Sequence, residues 1–177
     1  MIQGMRKNRL LAILVFIVMT ASLSFLYCAP PMDTIMSSWR CGTDGKPLPG
    51  QTMKGCWQDE DSYRVTAAGL SGSKGERKER RMEARKRALL TAQFHFIDDI
   101  NKLRMKRLFG DKPPKAHVNY SDARPPAKEF GSLAARGRAA WEEFDSDNNC
   151  RLLFEIREKG LKQRVRTYLQ GYERLIP

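Results

Sequence analysis

The segment ERKERRMEARKRALLTAQFHFIDDINKLRMKRLF, residues 76–109, has a regular apolar pattern around which the other elements can be placed. Apolar residues recur along it at every fourth position, with two leucines beside them: Ala84, Ala88, Ala92, Phe96, Ile100, Leu89 and Leu103. Positions four apart lie on one side of an α-helix, so the spacing predicts one long amphipathic helix. Because small side chains let a helix approach a sheet closely, we expect the alanines to lie directly against strands.

Strand patterns flank this helix on both sides. Upstream, SYRVTAAG (62–69) places Tyr63, Val65 and Ala67 at alternate positions, which is typical of a half-buried strand. Downstream, residues 137–160 predict two strands joined by the turn DSDNN. Strict alternation puts Trp141 and Phe144 on opposite faces of the first of these strands, which a bulge or an exposed Trp would explain.

The second downstream strand has a clear apolar face. Its members alternate along the chain: Cys150, Leu152, Phe154 and Ile156. We therefore expect Cys150 to point into the core as a small buried hydrophobe. A short second helix is predicted over residues 160–177, where Leu161, Val165, Leu169 and Tyr172 have helical spacing.

The segment at the start of the chain predicts export. Arg6, Lys7 and Arg9 precede an uncharged run, Leu10–Tyr27, and this order is typical of an export signal. Its 18 residues lie at the lower edge of the roughly 20 needed to cross a bilayer, so the run could stay in the membrane or be removed. Simple secretion is the least favoured outcome, because cleavage after Ser22 would leave a hydrophobic new terminus.

Cys28 closes the apolar run and is a candidate lipid-attachment site. Bacterial lipoprotein leaders have Leu three positions before the cysteine and then small residues, whereas Phe25, Leu26 and Tyr27 stand here. Two alternatives therefore stay open at this point. Residues 1–27 are a lipoprotein-type signal peptide or an uncut signal anchor, and residues 28–55 form a turn-rich tether.

The charge of the chain predicts anionic partners. The net charge is +12, and about +9 of it remains without the leader. Phosphate-bearing lipid, acidic glycan, acidic protein and nucleic acid all fit this charge, and export disfavours nucleic acid. We expect no small-molecule substrate.

Cationic residues concentrate where the long helix begins. The segment from residue 74 to residue 87 has three acidic residues, Glu76, Glu79 and Glu83. It has eight basic residues: Lys74, Arg77, Lys78, Arg80, Arg81, Arg85, Lys86 and Arg87. Cations near a helix N-terminus are disfavoured by ~0.3–1 kcal/mol each at low salt, which suggests an anionic surface as their counterpart. A simply solvated face is the alternative. Nucleic acid would favour aromatic residues among the basic ones, and this run has none.

The cysteines predict one disulfide. Cys41 and Cys56 bracket the loop GTDGKPLPGQTMKG, and a bond between them would contribute ~3 kcal/mol in an oxidising compartment. Cys150 is expected to stay reduced. Because no CxxC pair occurs and only His95 and His117 are available, we expect no metal site.

No catalytic pattern is visible in the sequence. No Ser, Cys or Lys is positioned beside a histidine and an acid, so we expect neither an enzyme nor a cofactor. The turn DSDNNC begins like a calcium loop, but Cys150 stands at its sixth position in place of Gly and Ile156 at its twelfth in place of Glu.

Three segments resemble one family of small bacterial lipoproteins: CWQDEDSYRVTAAG, ARKRALLTAQ and DSDNNCRLLFEIREKGLKQRV. The family is typified by the twenty-kilodalton Lpp antigen and includes the flagellar outer-membrane lipoprotein FlgP, and spirochaete-type members look most similar. The resemblance covers about residues 56–166. It implies an α+β domain of β-α-β-β order at residues 56–177, with three strands packed on one long helix.

The same resemblance implies a role as an envelope component. Members of the family are assembly partners and not enzymes, so other envelope proteins or a second copy of the chain are the expected partners. The expected location is the outer membrane, facing the periplasm, with a signal anchor in the inner membrane as the alternative. The basic residues from Lys74 to Arg87 indicate the alternative function, a signal-anchored module that binds acidic glycan, phospholipid headgroups or nucleic acid.

Overall fold

The computed structural model describes residues 36, 39–46, 53–109 and 125–171, which belong to one compact unit spanning residues 31–177. The predicted leader and Cys28 lie outside the described residues. The elements in chain order are β1 (Gly55–Trp57), β2 (Ser62–Gly69), α1 (Arg77–Phe109), α2 (Pro126–Ala135), β3 (Arg138–Phe144), β4 (Cys150–Arg157) and α3 (Leu161–Gln170). The predicted α+β class is confirmed.

The sheet has four antiparallel strands in the order β1-β2-β4-β3, one strand more than predicted. Its centre is the pair β2 and β4, which stay in register over eight residues from Ser62 opposite Arg157 to Gly69 opposite Cys150. The additional strand is β1, where Cys56 pairs with Arg64. Three residues are too few to show a period-two pattern, so β1 left no signal in the sequence.

Helix α1 lies directly against the sheet, as its alanine stripe predicts. Ala84, Ala88 and Ala92 are fully buried. A Cβ added to Gly69 of β2 would collide with the backbone of α1 at Ala84 and Ala88. The helix and strand backbones therefore touch, and this approach needs a Gly on the strand as well as alanines on the helix.

Helix α2 was not among the elements predicted from the sequence. Pro126 stands in its first turn, where a missing N–H removes no helical hydrogen bond. Phe130, Leu133 and Ala134 follow at helical spacing and are buried. Phe130 then packs edge-on against Phe96 of α1, with ring centroids 6.3 Å apart. The helix thus covers the second half of α1.

Strand β3 contains a bulge, and its two aromatic residues lie beyond this bulge on opposite faces of the sheet. Ala139 pairs with Phe154 and Trp141 with Leu153, so one extra residue stands between the two pairs. Beyond the bulge, Phe144 pairs with the buried Cys150, whereas Trp141 is 48% exposed. Both features allowed by the sequence, a bulge and an exposed Trp, are present.

The folded unit begins earlier than residue 56. Met36, Trp39 and Met53 all belong to the hydrophobic core. Trp39 and Trp57 are linked because the Trp57 N–H donates to the Trp39 carbonyl at 2.7 Å. Part of the segment predicted as a tether, residues 28–55, is therefore packed structure, which scattered apolar residues among Gly and Pro had not indicated.

Candidate functional site

A disulfide fastens the chain beside β1. Cys41 and Cys56 are bonded, the pair expected from the sequence. The Cys41 N–H donates to the Trp57 carbonyl at 3.0 Å, so the incoming segment runs alongside the strand. Cys150 is free and buried, and its burial, together with the nearby Glu142 carboxylate, raises the pKa of the thiol. A raised pKa disfavours the reactive thiolate.

The basic segment, Lys74 to Arg87, contains cations that contact other parts of the fold and cations that are exposed. Two of its arginines reach across to the β3–β4 hairpin. Arg81 donates to the Asn148 side chain at 3.1 Å and lies 5.0 Å from the centre of the Phe144 ring. Arg85 forms an ion pair with Glu142 at 2.7 Å. These two cations hold the helix and the hairpin together.

Arg87 also has intramolecular partners, since it pairs with Glu83 one turn earlier and donates to the Leu70 carbonyl. Arg80 is partly buried. Four of the eight predicted cations are exposed and have no ion pair within the described ranges: Lys74, Arg77, Lys78 and Lys86. The exposed cationic surface in the structure is therefore smaller than the eight-residue surface predicted from the sequence.

A row of exposed side chains runs along the side of α1 away from the sheet. We call it the outer ridge, and its members follow one another at every fourth residue: Lys78, Met82, Lys86, Leu90 and Phe94. Its apolar side chains are largely exposed: Met82 by 67%, Leu90 by 56% and Phe94 by 72%. Side chains four residues apart form a continuous ridge on a helix surface. The signal was visible in the sequence as apolar residues off the alanine stripe.

A buried carboxylate joins α1 to the edge of the sheet. Asp99 is 1% exposed and accepts hydrogen bonds from the Gly55 N–H and the Tyr63 hydroxyl, both at 2.8 Å, and from the Lys54 N–H. Burial raises the pKa of Asp99 although these donors act in the opposite direction. Burial and the neighbouring Asp99 raise the pKa of Tyr63 well above its usual value.

The role of Asp99 follows from its partners. Two of its donors are backbone groups next to or within β1, so the carboxylate supplies a tertiary attachment for a strand of three residues. Asp99 was not among the residues predicted from the sequence. Its signal was a carboxylate seven residues after Ala92, on the side of the helix that the apolar stripe marks as buried.

The face of the sheet opposite α1 carries a second charged cluster. Glu155 is 6% exposed, and its carboxylate lies 3.1 Å from Arg64, 3.8 Å from Arg157 and 4.0 Å from Arg138. Three arginines around one acid leave this part of the face cationic. Trp141 lies beside the cluster, opposite Leu153.

The described ranges contain no group of three or more His, Cys, Asp or Glu side chains that could hold a metal ion. No helix in these same ranges is both long enough and apolar enough to cross a bilayer. The predicted apolar run Leu10–Tyr27 lies outside the described ranges. Comparisons with protein-family models, curated proteins and solved structures found no match to this chain. The resemblance to small envelope lipoproteins stays a prediction.

Proposed function

We propose that this protein is a membrane-anchored envelope lipoprotein with a non-enzymatic structural or assembly role, located at the outer membrane and facing the periplasm. The observation that carries the proposal is an export-type leader followed by a unit with a bonded Cys41–Cys56 pair. Disulfides persist in oxidising compartments, and these are the compartments to which such leaders direct a chain.

The proposed anchor is lipid on Cys28. A fully acylated cysteine carries more than one acyl chain, which suffices for stable attachment where a single chain is marginal. The alternative anchor is an uncut Leu10–Tyr27 segment in the inner membrane. Because the folded unit includes Met36, only a short stretch separates either anchor from packed structure.

The non-enzymatic role is supported by the use of the perturbed ionisable groups. Asp99 and Tyr63 are both at most 2% exposed and hydrogen-bond to each other. The remaining hydrogen bonds of Asp99 hold backbone amides near β1. Perturbed pKa values often mark active sites, but structural networks also produce them, and this pair has the partners of a structural network.

An anion-binding module is the second candidate function. The observation that favours it is the group of exposed cations at the start of α1, led by Lys78 and Lys86. In this version the surface itself recognises acidic glycan or phospholipid headgroups, and the anchor serves only to position it. Nucleic acid is disfavoured because the basic segment has no interleaved aromatic residue.

Intact mass of the membrane-extracted protein tests the anchor. We expect the wild type to begin at Cys28 and to carry acyl mass, and Cys28→Ser to keep the leader and lose the acyl mass. Cys150→Ala is the matched control, because it removes a buried free thiol and should leave the acyl mass unchanged. A wild-type chain that keeps Met1 without acyl mass would establish the signal anchor instead. Release by alkaline carbonate would exclude both anchors.

A further inference from the structure

We infer that the outer ridge of α1 lies in the headgroup layer of an anionic membrane, with Met82, Leu90 and Phe94 inserted and Lys78 and Lys86 at the phosphates. This inference rests on the proposed membrane anchoring. Beyond anchoring, it specifies which surface of the folded unit contacts the lipid and how the unit is oriented on the membrane.

Exposed large apolar side chains concentrate on the outer ridge. Five large apolar side chains are exposed in the described part of the chain, and three of these belong to the outer ridge. Phe94 is the most exposed of the five at 72%. Helices that lie in a membrane interface carry Phe and Leu on an apolar face and Lys or Arg on a polar face.

Lysines alternate with the apolar residues in the first part of the outer ridge. Lys86 stands between Met82 and Leu90, and Lys78 lies one turn before Met82. The nearby Glu83 is paired with Arg87, so it does not cancel these lysines. Lysine side chains can lay their methylene groups along apolar surface while the ammonium group reaches the phosphates.

Charge complementarity favours lipid over a second copy of this chain. Two ridges packed against each other would bring lysines of one copy next to lysines of the other, and like charges in contact are disfavoured. An anionic headgroup layer instead supplies phosphates for the lysines and an apolar layer just beneath them. Attraction to such a layer is worth most when several cations reach it together.

The orientation follows from the packing of α1. Its other side lies against the sheet, with Ala88 next to Gly69. A membrane on the outer ridge therefore leaves the opposite face of the sheet, with Trp141 and the Glu155 cluster, turned away from the lipid. That face stays accessible to other envelope proteins.

Amine labelling of the full chain tests the inference. The protein is reconstituted through its own N-terminal segment into nanodiscs, one copy each, made of neutral or of partly anionic lipid. A water-soluble acetylating reagent followed by peptide mass spectrometry then reads each lysine. We expect labelling of Lys78 and Lys86 to fall about fivefold in anionic discs relative to neutral ones. Lys128 and Lys159 are exposed elsewhere and serve as internal controls.

Two variants sharpen the test. Leu90→Ser combined with Phe94→Ser should remove most of the protection without lowering the melting temperature, because both side chains are exposed. Trp141→Ser removes an exposed aromatic side chain from the opposite face and should leave the protection intact. Equal labelling of Lys78 and Lys86 in neutral and anionic discs overturns the inference, whether both lysines react freely or both are protected. Carbonate extraction of the same samples reads the anchor separately.

Discussion

The two sides of α1 both carry apolar residues, but they use different ones. The inner side has Ala84 and Ala88, which are fully buried, and the outer ridge has Met82 and Phe94, which are mostly exposed. Where α1 crosses Gly69, the touching backbones leave space only for a methyl group at Ala84 and Ala88. On the outer side no such limit applies. The size of an apolar residue on α1 therefore reflects the space available to it, and size alone does not indicate burial.

The largest effect is expected from a charge placed on the inner side of α1. Ala88→Glu places a carboxylate against the backbone near Gly69, and an unpaired buried charge costs several kcal/mol, a large part of the ~5–15 kcal/mol that stabilises a domain. We expect loss of the folded state by circular dichroism. Lys86→Glu is the control on the exposed side and should change the free energy of unfolding by less than ~0.5 kcal/mol. An unchanged melting temperature in Ala88→Glu would refute the packing of α1 on the sheet.

A second pair of variants compares the same residue type on the two sides. Phe96 is fully buried and Phe94 is 72% exposed. Phe96→Ala should lower the free energy of unfolding by ~3–5 kcal/mol, because it leaves a cavity beside Tyr63 and Phe130. Phe94→Ala should change it by less than ~0.5 kcal/mol. Urea unfolding of both variants measures the difference, and equal losses would contradict the assignment of the two sides.

The smallest effect is expected in the pH dependence of stability, through the Asp99 carboxylate, which is buried on the inner side of α1. The folded pKa of Asp99 is raised above its ordinary value of 3.8. Between that value and the raised one, the folded state binds more protons than the unfolded state, so stability falls as pH rises. We expect the stability of the wild type relative to Asp99→Asn to decrease over this window.

Urea unfolding of both proteins at several pH values measures this difference. The comparison with Asp99→Asn removes the contribution of other carboxylates, such as Asp145, whose pKa is lowered and which act in the opposite direction. A wild-type advantage that grows with pH would contradict the direction given for Asp99.

Sequence periodicity predicted the parts of the fold that repeat. The alanine stripe of α1 and the alternation of Tyr63, Val65 and Ala67 each extend over enough residues to define a face. Strand β1 could not be predicted in this way, because its position depends on Asp99, 44 residues away from Gly55, and on the bond to Cys41. Such attachments exist only after the chain has folded.

The candidate surface was predicted in composition but not in shape. Eight cations from Lys74 to Arg87 are equivalent in the sequence, whereas the fold gives Arg81 and Arg85 partners on the β3–β4 hairpin. Conversely, Met82 and Phe94 carry no charge and were not predicted to belong to the surface. Their position off the alanine stripe was visible in the sequence, but their exposure also depends on which sides of α1 the sheet and α2 cover.

The ends of the sheet have a consequence for the proposed membrane-bound state, in which copies of the protein would be concentrated on a two-dimensional surface. An unpaired strand edge invites strands of neighbouring molecules to join it, which leads to aggregation. At one end, β1 is only three residues long and the segment at Arg40 pairs beside it. At the other, β3 is interrupted by its bulge and carries Arg138, Glu142 and Glu143. Both edges are poor templates, so many copies can crowd together without their sheets fusing.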